Sequence, residues 1–132
     1  FVISDYIFEK DRIFARLNLD EDELGLYDSI FQLMLSISAK PDLVIYLQSS
    51  VDRLMQNIRI RGRDFERDLS EAYLREVSEA YNHYFYHYTQ TPLLIINSTE
   101  IDFVGNPDHL AYIEEQIFEK PIRAYTQLHI AP

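Results

Sequence analysis

Leu93-Leu94-Ile95-Ile96, held between Pro92 and Asn97, and Leu43-Val44-Ile45-Tyr46-Leu47, which follows Lys40-Pro41-Asp42, decide how this chain folds. Both runs are short and apolar. Neither shows the polar alternation of a strand that keeps one face in water. Such strands need apolar cover on both faces, which a parallel sheet between helices supplies. Phe1-Val2-Ile3 reads the same way, so strands are expected at Phe1–Ile3, Leu43–Leu47 and Leu93–Ile96.

Helices with recognisable starts fill the intervals. Asp20 and Glu23 form a capping-box pattern. Leu24, Tyr27, Ile30, Phe31, Met34 and Ile37 then recur at helical spacing up to Lys40-Pro41, where proline forbids continuation. Ser49 or Ser50 can cap a helix bearing Val51, Leu54 and Ile58. Ser70 can cap one with Tyr73, Val77, Tyr81, Tyr84 and Tyr88 on one face, and Asn106-Pro107 opens another through Leu110, Ile113 and Ile117. Strands alternating with helices predict an α/β fold, a parallel sheet flanked by helices and joined by right-handed crossovers. Ligands are expected at the carboxyl ends of its strands.

Composition sets outer bounds. The chain has 132 residues, 47% of them hydrophobic, and its three glycines and five prolines do not cluster, so one domain over residues 1–132 is expected. No apolar run approaches the roughly 20 residues of a membrane span, and no signal-peptide pattern opens the chain, so a soluble protein is expected, with cytoplasm as the default location and no membrane partner. The absence of cysteine excludes thiol chemistry and disulfides. A net charge of −10 repels polyanions, which argues against a nucleic acid polymer as partner. Because the chain opens on Phe1 without a methionine, it reads as cut from something longer.

Positive charge is concentrated in one place. Arg53, Arg59, Arg61, Arg63 and Arg67 gather in and just before Ile58-Arg59-Ile60-Arg61-Gly62-Arg63-Asp64-Phe65-Glu66-Arg67, with Gly62 allowing a turn. Guanidinium forks bind phosphate oxygens bidentately and keep their charge, so several in one segment can close over a transferring phosphoryl group. The plainer reading is a solvated helix end whose arginines pair with Asp64, Glu66 and Asp68. His83 and His87, four apart on one helix, lack an evident third metal ligand. The tyrosines at 81, 84, 86 and 88 suit packing better than base stacking.

The arginine segment resembles the lid of deoxyribonucleoside kinases, an Arg-Gly-Arg element followed after a short gap by glutamate. The likeness extends along the chain in order. Ile3-Ser4-Asp5-Tyr6 through Lys10-Asp11-Arg12-Ile13-Phe14-Ala15 is similar to the family's third strand and following helix, and Lys40 to Leu47 to its fourth strand. Tyr73-Leu74, Glu79-Ala80-Tyr81-Asn82 and Tyr84-Phe85 resemble its long helix. Pro92 to Asn97, with Glu100-Ile101-Asp102-Phe103, resembles its last strand and adenine-side loop.

The resemblance implies a P-loop kinase-like fold, represented here by its C-terminal part, with a lid at about 58–68, and transfer of the γ-phosphoryl group of ATP to a deoxyribonucleoside 5′-hydroxyl in nucleotide salvage. It implies that Arg61 and Arg63 contact the donor phosphates, assisted by Arg59. Glu66 would bind the sugar 3′-hydroxyl, and Lys10 or Arg12 would approach the base. The loop from Thr99 to Phe103, with Glu100, Asp102 and Phe103, would surround the adenine. It also implies a homodimer, for which the apolar helix from Leu24 to Ile37 is the natural face.

Two departures stand out. Many members carry Glu-Arg-Ser after the third strand, where this chain has Ser4-Asp5-Tyr6; Asp5 is then either a carboxylate for Mg2+ or an N-cap or turn residue. None of Gly25, Gly62 and Gly105 lies in a Gly-x-x-x-x-Gly-Lys-Ser/Thr pattern, so no phosphate cradle can be built from these residues, and the stretch alone is expected to be inactive. Two other readings remain open: a thymidylate kinase-like monophosphate kinase, and a non-catalytic module that binds nucleotide or protein.

Overall fold

The computed structural model describes residues 2–66, 68–119 and 125–128. Its elements run α1 (Glu9–Asn18), α2 (Glu21–Ile37), β1 (Val44–Gln48), α3 (Val51–Arg61), a 3-10 turn (Asp64–Glu66), α4 (Glu71–Tyr86), β2 (Leu93–Asn97), α5 (Pro107–Phe118) and β3 (Tyr125–Leu128). The strands form one sheet in the order β1-β2-β3, both pairs parallel, with Val44 opposite Leu93 and Leu93 opposite Tyr125.

The expected caps are in place. The Asp20 side chain accepts from the Glu23 N–H while the Glu23 carboxylate accepts from the Asp20 N–H, closing the capping box. Ser50, Ser70 and Asn106 each accept a first-turn backbone N–H of α3, α4 and α5. α2 stops at Ile37, ahead of Lys40-Pro41, because Ser38 already turns the backbone to an extended conformation.

β2 explains its own sequence. It is the central strand, and Leu93, Leu94, Ile95 and Ile96 are each 4% exposed or less. At about 1.5–3 kcal/mol for each fully buried aliphatic side chain, these four residues are the densest source of hydrophobic stabilisation in the sheet. On one face Leu93 and Ile95 meet Val44, Phe85 and Tyr88, with Ile7, Tyr46, Tyr81 and Tyr84 packed around them. On the other, Leu94 and Ile96 meet Ile101, Ile113 and Leu128, with Phe103, Tyr112 and Ile117 alongside. Helices thus lie on both faces of a parallel sheet, as the apolar runs predict.

Three details depart from the sequence reading. Val2 and Ile3 are 93% and 83% exposed and form no strand; Phe1 lies outside the described residues. An extended segment becomes a strand only where a neighbour takes its backbone hydrogen bonds, and among the described residues β1 pairs with β2 alone. β1 is covered on one face only, leaving Ile45 and Leu47 42% and 51% exposed, because α5 crosses from β2 to β3 and shelters those strands instead. β3 itself was not anticipated.

α1 and α2 form a hairpin closed by mixed contacts. Phe8 stacks on Phe31 at 4.8 Å, the Tyr27 hydroxyl donates to Asp11 at 2.9 Å, and Arg12 reaches Asp28 at 2.9 Å. Burial pushes the Tyr27 phenol up to about 12, reinforced by the Asp11 carboxylate that accepts its proton. α1 then leans on α4 through Phe14 and Tyr81, edge to face at 5.9 Å. Among the described residues no helix is long and apolar enough to cross a membrane.

Candidate functional site

The carboxyl ends of β1 and β2 carry the two segments singled out from sequence. After β1 the chain turns through Ser49 and Ser50 directly into α3, whose last turn bears Arg59 and Arg61. Cations there are favoured by the partial negative charge of the helix C-terminus. Gly62 then ends the helix at φ 62°, its N–H donating to the Ile58 carbonyl at 3.0 Å. A β-carbon is disfavoured at that angle, which makes glycine the fitting residue for the reversal.

The reversal brings Glu66 back to the end of α3. Its carboxylate takes both arms of the Arg61 fork, Nε at 3.0 Å and Nη2 at 2.9 Å, with Arg63 Nη1 3.9 Å away. Glu66 is 8% exposed, whereas about half of the Arg61 side chain remains in solvent. The pairing anticipated from the acidic neighbours is therefore present, and it joins two proposed site residues to each other. Arg59, Arg63 and Glu66 line a cavity of about 420 Å³ together with Met55, Ile58 and Leu69. Arg67 lies outside the described residues.

The loop after β2 is built from side-chain oxygens that accept backbone hydrogens. Asn97 Oδ1 accepts from the Thr99 N–H at 3.1 Å. Asp102 Oδ1 accepts from Gly105 and Val104 at 2.8 and 3.3 Å, and the Asp102 N–H donates to His109 Nδ1 at 3.0 Å. That last bond places any single ring proton of His109 on Nε2. Ile101 is buried and Phe103 half-buried against the α5 core, while Glu100 is exposed. A β-carbon on Gly105 would meet Asp102 Oδ2 at 2.5 Å, so the tightness of this loop depends on glycine there.

The loop and the base of α3 are joined. The Ser98 N–H and hydroxyl both donate to the Gln48 carbonyl, at 2.8 and 2.9 Å, and the Ser50 N–H donates to Thr99 Oγ1 at 2.8 Å. Sequence reasoning missed this junction, since its members stand 49 residues apart. It also missed Asn82, whose Oδ1 accepts from both Tyr46 and Gln48 at 2.8 Å beside the end of β1. Burial drives the Tyr46 phenol up to about 12.

The remaining expected site residues sit apart from the arginine cluster in their contacts. Arg12 is held by Asp28 and lies 5.2 Å from the centre of the Phe31 ring, and Lys10 Nζ stands 4.5 Å over the Tyr6 ring. Asp5 is exposed in the bend before α1, and among the described residues no group of three or more histidine or acidic side chains is placed to hold a metal ion. The His83 and His87 rings lie tilted against each other at 4.6 Å, with His87 Nδ1 2.9 Å from the His83 carbonyl. Tyr81, Tyr84 and Tyr88 pack against the sheet core, as expected of an amphipathic face, whereas Tyr86 is 75% exposed.

A model of the deoxynucleoside kinase family matches residues 1–123. The chain belongs to the deoxynucleoside kinase family. In this member of the family, the three-stranded parallel sheet and its flanking helices are a partial P-loop kinase-like α/β fold. A deoxyadenosine kinase of Lactobacillus acidophilus is 28% identical over 89% of the chain and 61% of its own length. A deoxyadenosine kinase of Dictyostelium discoideum is 31% identical over 89% of the chain and 49% of its own length. A deoxyguanosine kinase of Bacillus subtilis is 35% identical over 61% of the chain and 39% of its own length. The chain thus spans roughly half the length of the curated relatives it matches.

Proposed function

We propose that this chain is the lid-bearing C-terminal portion of an ATP-dependent deoxyribonucleoside kinase of cytoplasmic nucleotide salvage. The observation that carries the reading is the Arg61-Gly62-Arg63 reversal with Glu66 folded back onto it. The relatives' names supply the substrate class.

In the transfer, the acceptor 5′-oxygen bonds to the γ-phosphorus as the bond to the β,γ-bridging oxygen breaks, and negative charge builds on the transferring oxygens and the leaving group. Arg61 and Arg63 meet that charge with fixed guanidinium donors, and Arg59 adds to the field across the cavity. Glu66 accepts the 3′-hydroxyl hydrogen of the sugar. Glu100, Asp102 and Phe103 shape the loop for the adenine, Phe103 through its packing and Asp102 by holding Val104 and Gly105. Lys10 and Arg12 belong to the base-facing helix. The phosphate loop and the general base come from residues beyond these.

Asp5, an exposed carboxylate, would be the residue here to hold Mg2+, a hard cation that takes oxygen ligands and keeps several waters. The ion would neutralise phosphate charge. Leu26, Ile30, Leu33, Met34 and Ile37, 43–78% exposed along α2, supply the apolar face of a homodimer.

The test is ADP release from ATP by the longest product of this reading frame, offered each of the four deoxynucleosides, beside an Arg61→Ala variant. The expected result is turnover of at least one deoxynucleoside, reduced about 100-fold or more by Arg61→Ala, the scale of losing a charged transition-state donor. Turnover of a deoxynucleoside monophosphate alone would move the assignment to a monophosphate kinase, and undiminished turnover in Arg61→Ala would remove the lid role.

A further inference from the structure

We infer that Thr99 is a positioning residue: its hydroxyl ties the loop proposed to hold the donor base to the root of the lid helix, so that filling the loop sets where Arg61 and Arg63 stand. The inference rests on the kinase reading of both segments.

The joint is built from few atoms. α3 leaves β1 after only Ser49 and Ser50, so the direction of the whole helix is fixed in that short turn. The Ser50 side chain is occupied inside α3, where it accepts the Arg53 N–H at 3.3 Å. The Ser50 backbone N–H points the other way and donates to Thr99 Oγ1 at 2.8 Å, with Ser49 Oγ 3.4 Å from the same oxygen. Thr99 is itself oriented from its own loop, because its N–H donates to Asn97 Oδ1 at 3.1 Å. Ser98 holds the preceding residue pair by its two bonds to the Gln48 carbonyl. Among the described residues, Thr99 is therefore the one side chain whose oxygen reaches from the loop to the N-cap of the helix that carries the arginines.

Two considerations separate positioning from simple stability. Thr99 and Ser50 are both exposed, so water can replace the bond if it is lost, and no buried group is orphaned. Geometry, in contrast, amplifies at the far end. α3 has 11 residues, and at about 1.5 Å per residue it is a rod of roughly 16 Å. A tilt of about 5° at its root moves the far end by more than ~1 Å, a displacement that can cost about 100-fold in a reaction that depends on placement.

The experiment compares Thr99→Val, which keeps the shape and removes the acceptor, with Thr99→Ser, which keeps the acceptor, in the longest product of the reading frame. For Thr99→Val the expected result is a kcat/KM for ATP lower by about 10-fold or more, with the KM for the deoxynucleoside unchanged, and recovery to within about twofold in Thr99→Ser. ATP should also slow amide exchange in the first turn of α3 in the wild type and in Thr99→Ser but not in Thr99→Val. Wild-type constants in Thr99→Val, an equal rise in both KM values, or no recovery by serine would overturn the inference. So would a valine variant that does not fold, since the hydroxyl would then be holding the structure. An unmodified enzyme that releases no ADP with any deoxynucleoside removes the kinase reading itself, and this inference with it.

Discussion

Removing Arg61 should destabilise the fold in a way that Glu66 alone accounts for. The two side chains share hydrogen bonds of 3.0 and 2.9 Å, the carboxylate end 8% exposed and the guanidinium end about half exposed. Breaking a fully buried pair costs about 3–5 kcal/mol, and an exposed one is worth about 0.2–1 kcal/mol. With one end buried and one in water, Arg61→Ala should cost about 2 kcal/mol, mostly from a buried carboxylate left with Arg63 at 3.9 Å. For a chain of this size that is a fall in Tm of roughly 8 °C. Glu66→Leu should cost less, about 1 kcal/mol, because the freed guanidinium can rehydrate. The double variant should cost little more than Glu66→Leu, giving a coupling of about 2 kcal/mol. Urea unfolding followed by far-UV circular dichroism at pH 7 measures all three variants. Additive losses, or a coupling abolished by about 1 M salt, would show that the pair behaves as an ordinary surface contact.

The tyrosine face makes the protein sensitive to alkali. Burial lifts the Tyr46 phenol up to about 12 and raises Tyr81, Tyr84 and Tyr88 from the ordinary value of 10.0, so folding favours their neutral forms. That stability is complete below pH 10.0 and is lost as pH climbs through 12 and beyond. Tyrosinate absorbance and helical dichroism should therefore change together above about pH 11; ionisation of all ten tyrosines near 10.0 with the helices intact would contradict it. For the α2 face, light scattering at micromolar concentration should show a dimer that Leu33→Glu converts to a folded monomer, Leu33 being 71% exposed. A monomeric wild type would remove the proposed interface.

Local signals in the sequence carried far. Capping residues at Asp20, Ser50, Ser70 and Asn106 act on hydrogens only two or three residues away, and each is where its pattern put it. The closeness of Arg61, Arg63 and Glu66 was legible for the same reason, since one glycine turn joins them. What depended on partners was harder to read. Val2 and Ile3 have strand-like side chains but no neighbouring strand among the described residues, and Tyr125-Thr126-Gln127-Leu128 has a neighbour in β2 but too short a pattern to announce it. Leu47 is as apolar as Leu94, yet only the second has a helix over it. Arg12 found Asp28, and Ser50 found Thr99, through docking that no spacing along the chain encodes.

The left-handed residue that ends α3 also bears on how freely this segment can drift. Every single-base missense change in a glycine codon adds a β-carbon, and at Gly62 each newcomer must sit at φ 62°. Most pay roughly 1–2 kcal/mol there. Asparagine, the side chain best suited to that conformation after glycine, lies two base changes away, and aspartate, which also tolerates it, would set a carboxylate between the two arginines. The stretch between the two arginines is therefore a narrow place in sequence space: charge on either side can be exchanged one mutation at a time, but the bend that aims it cannot.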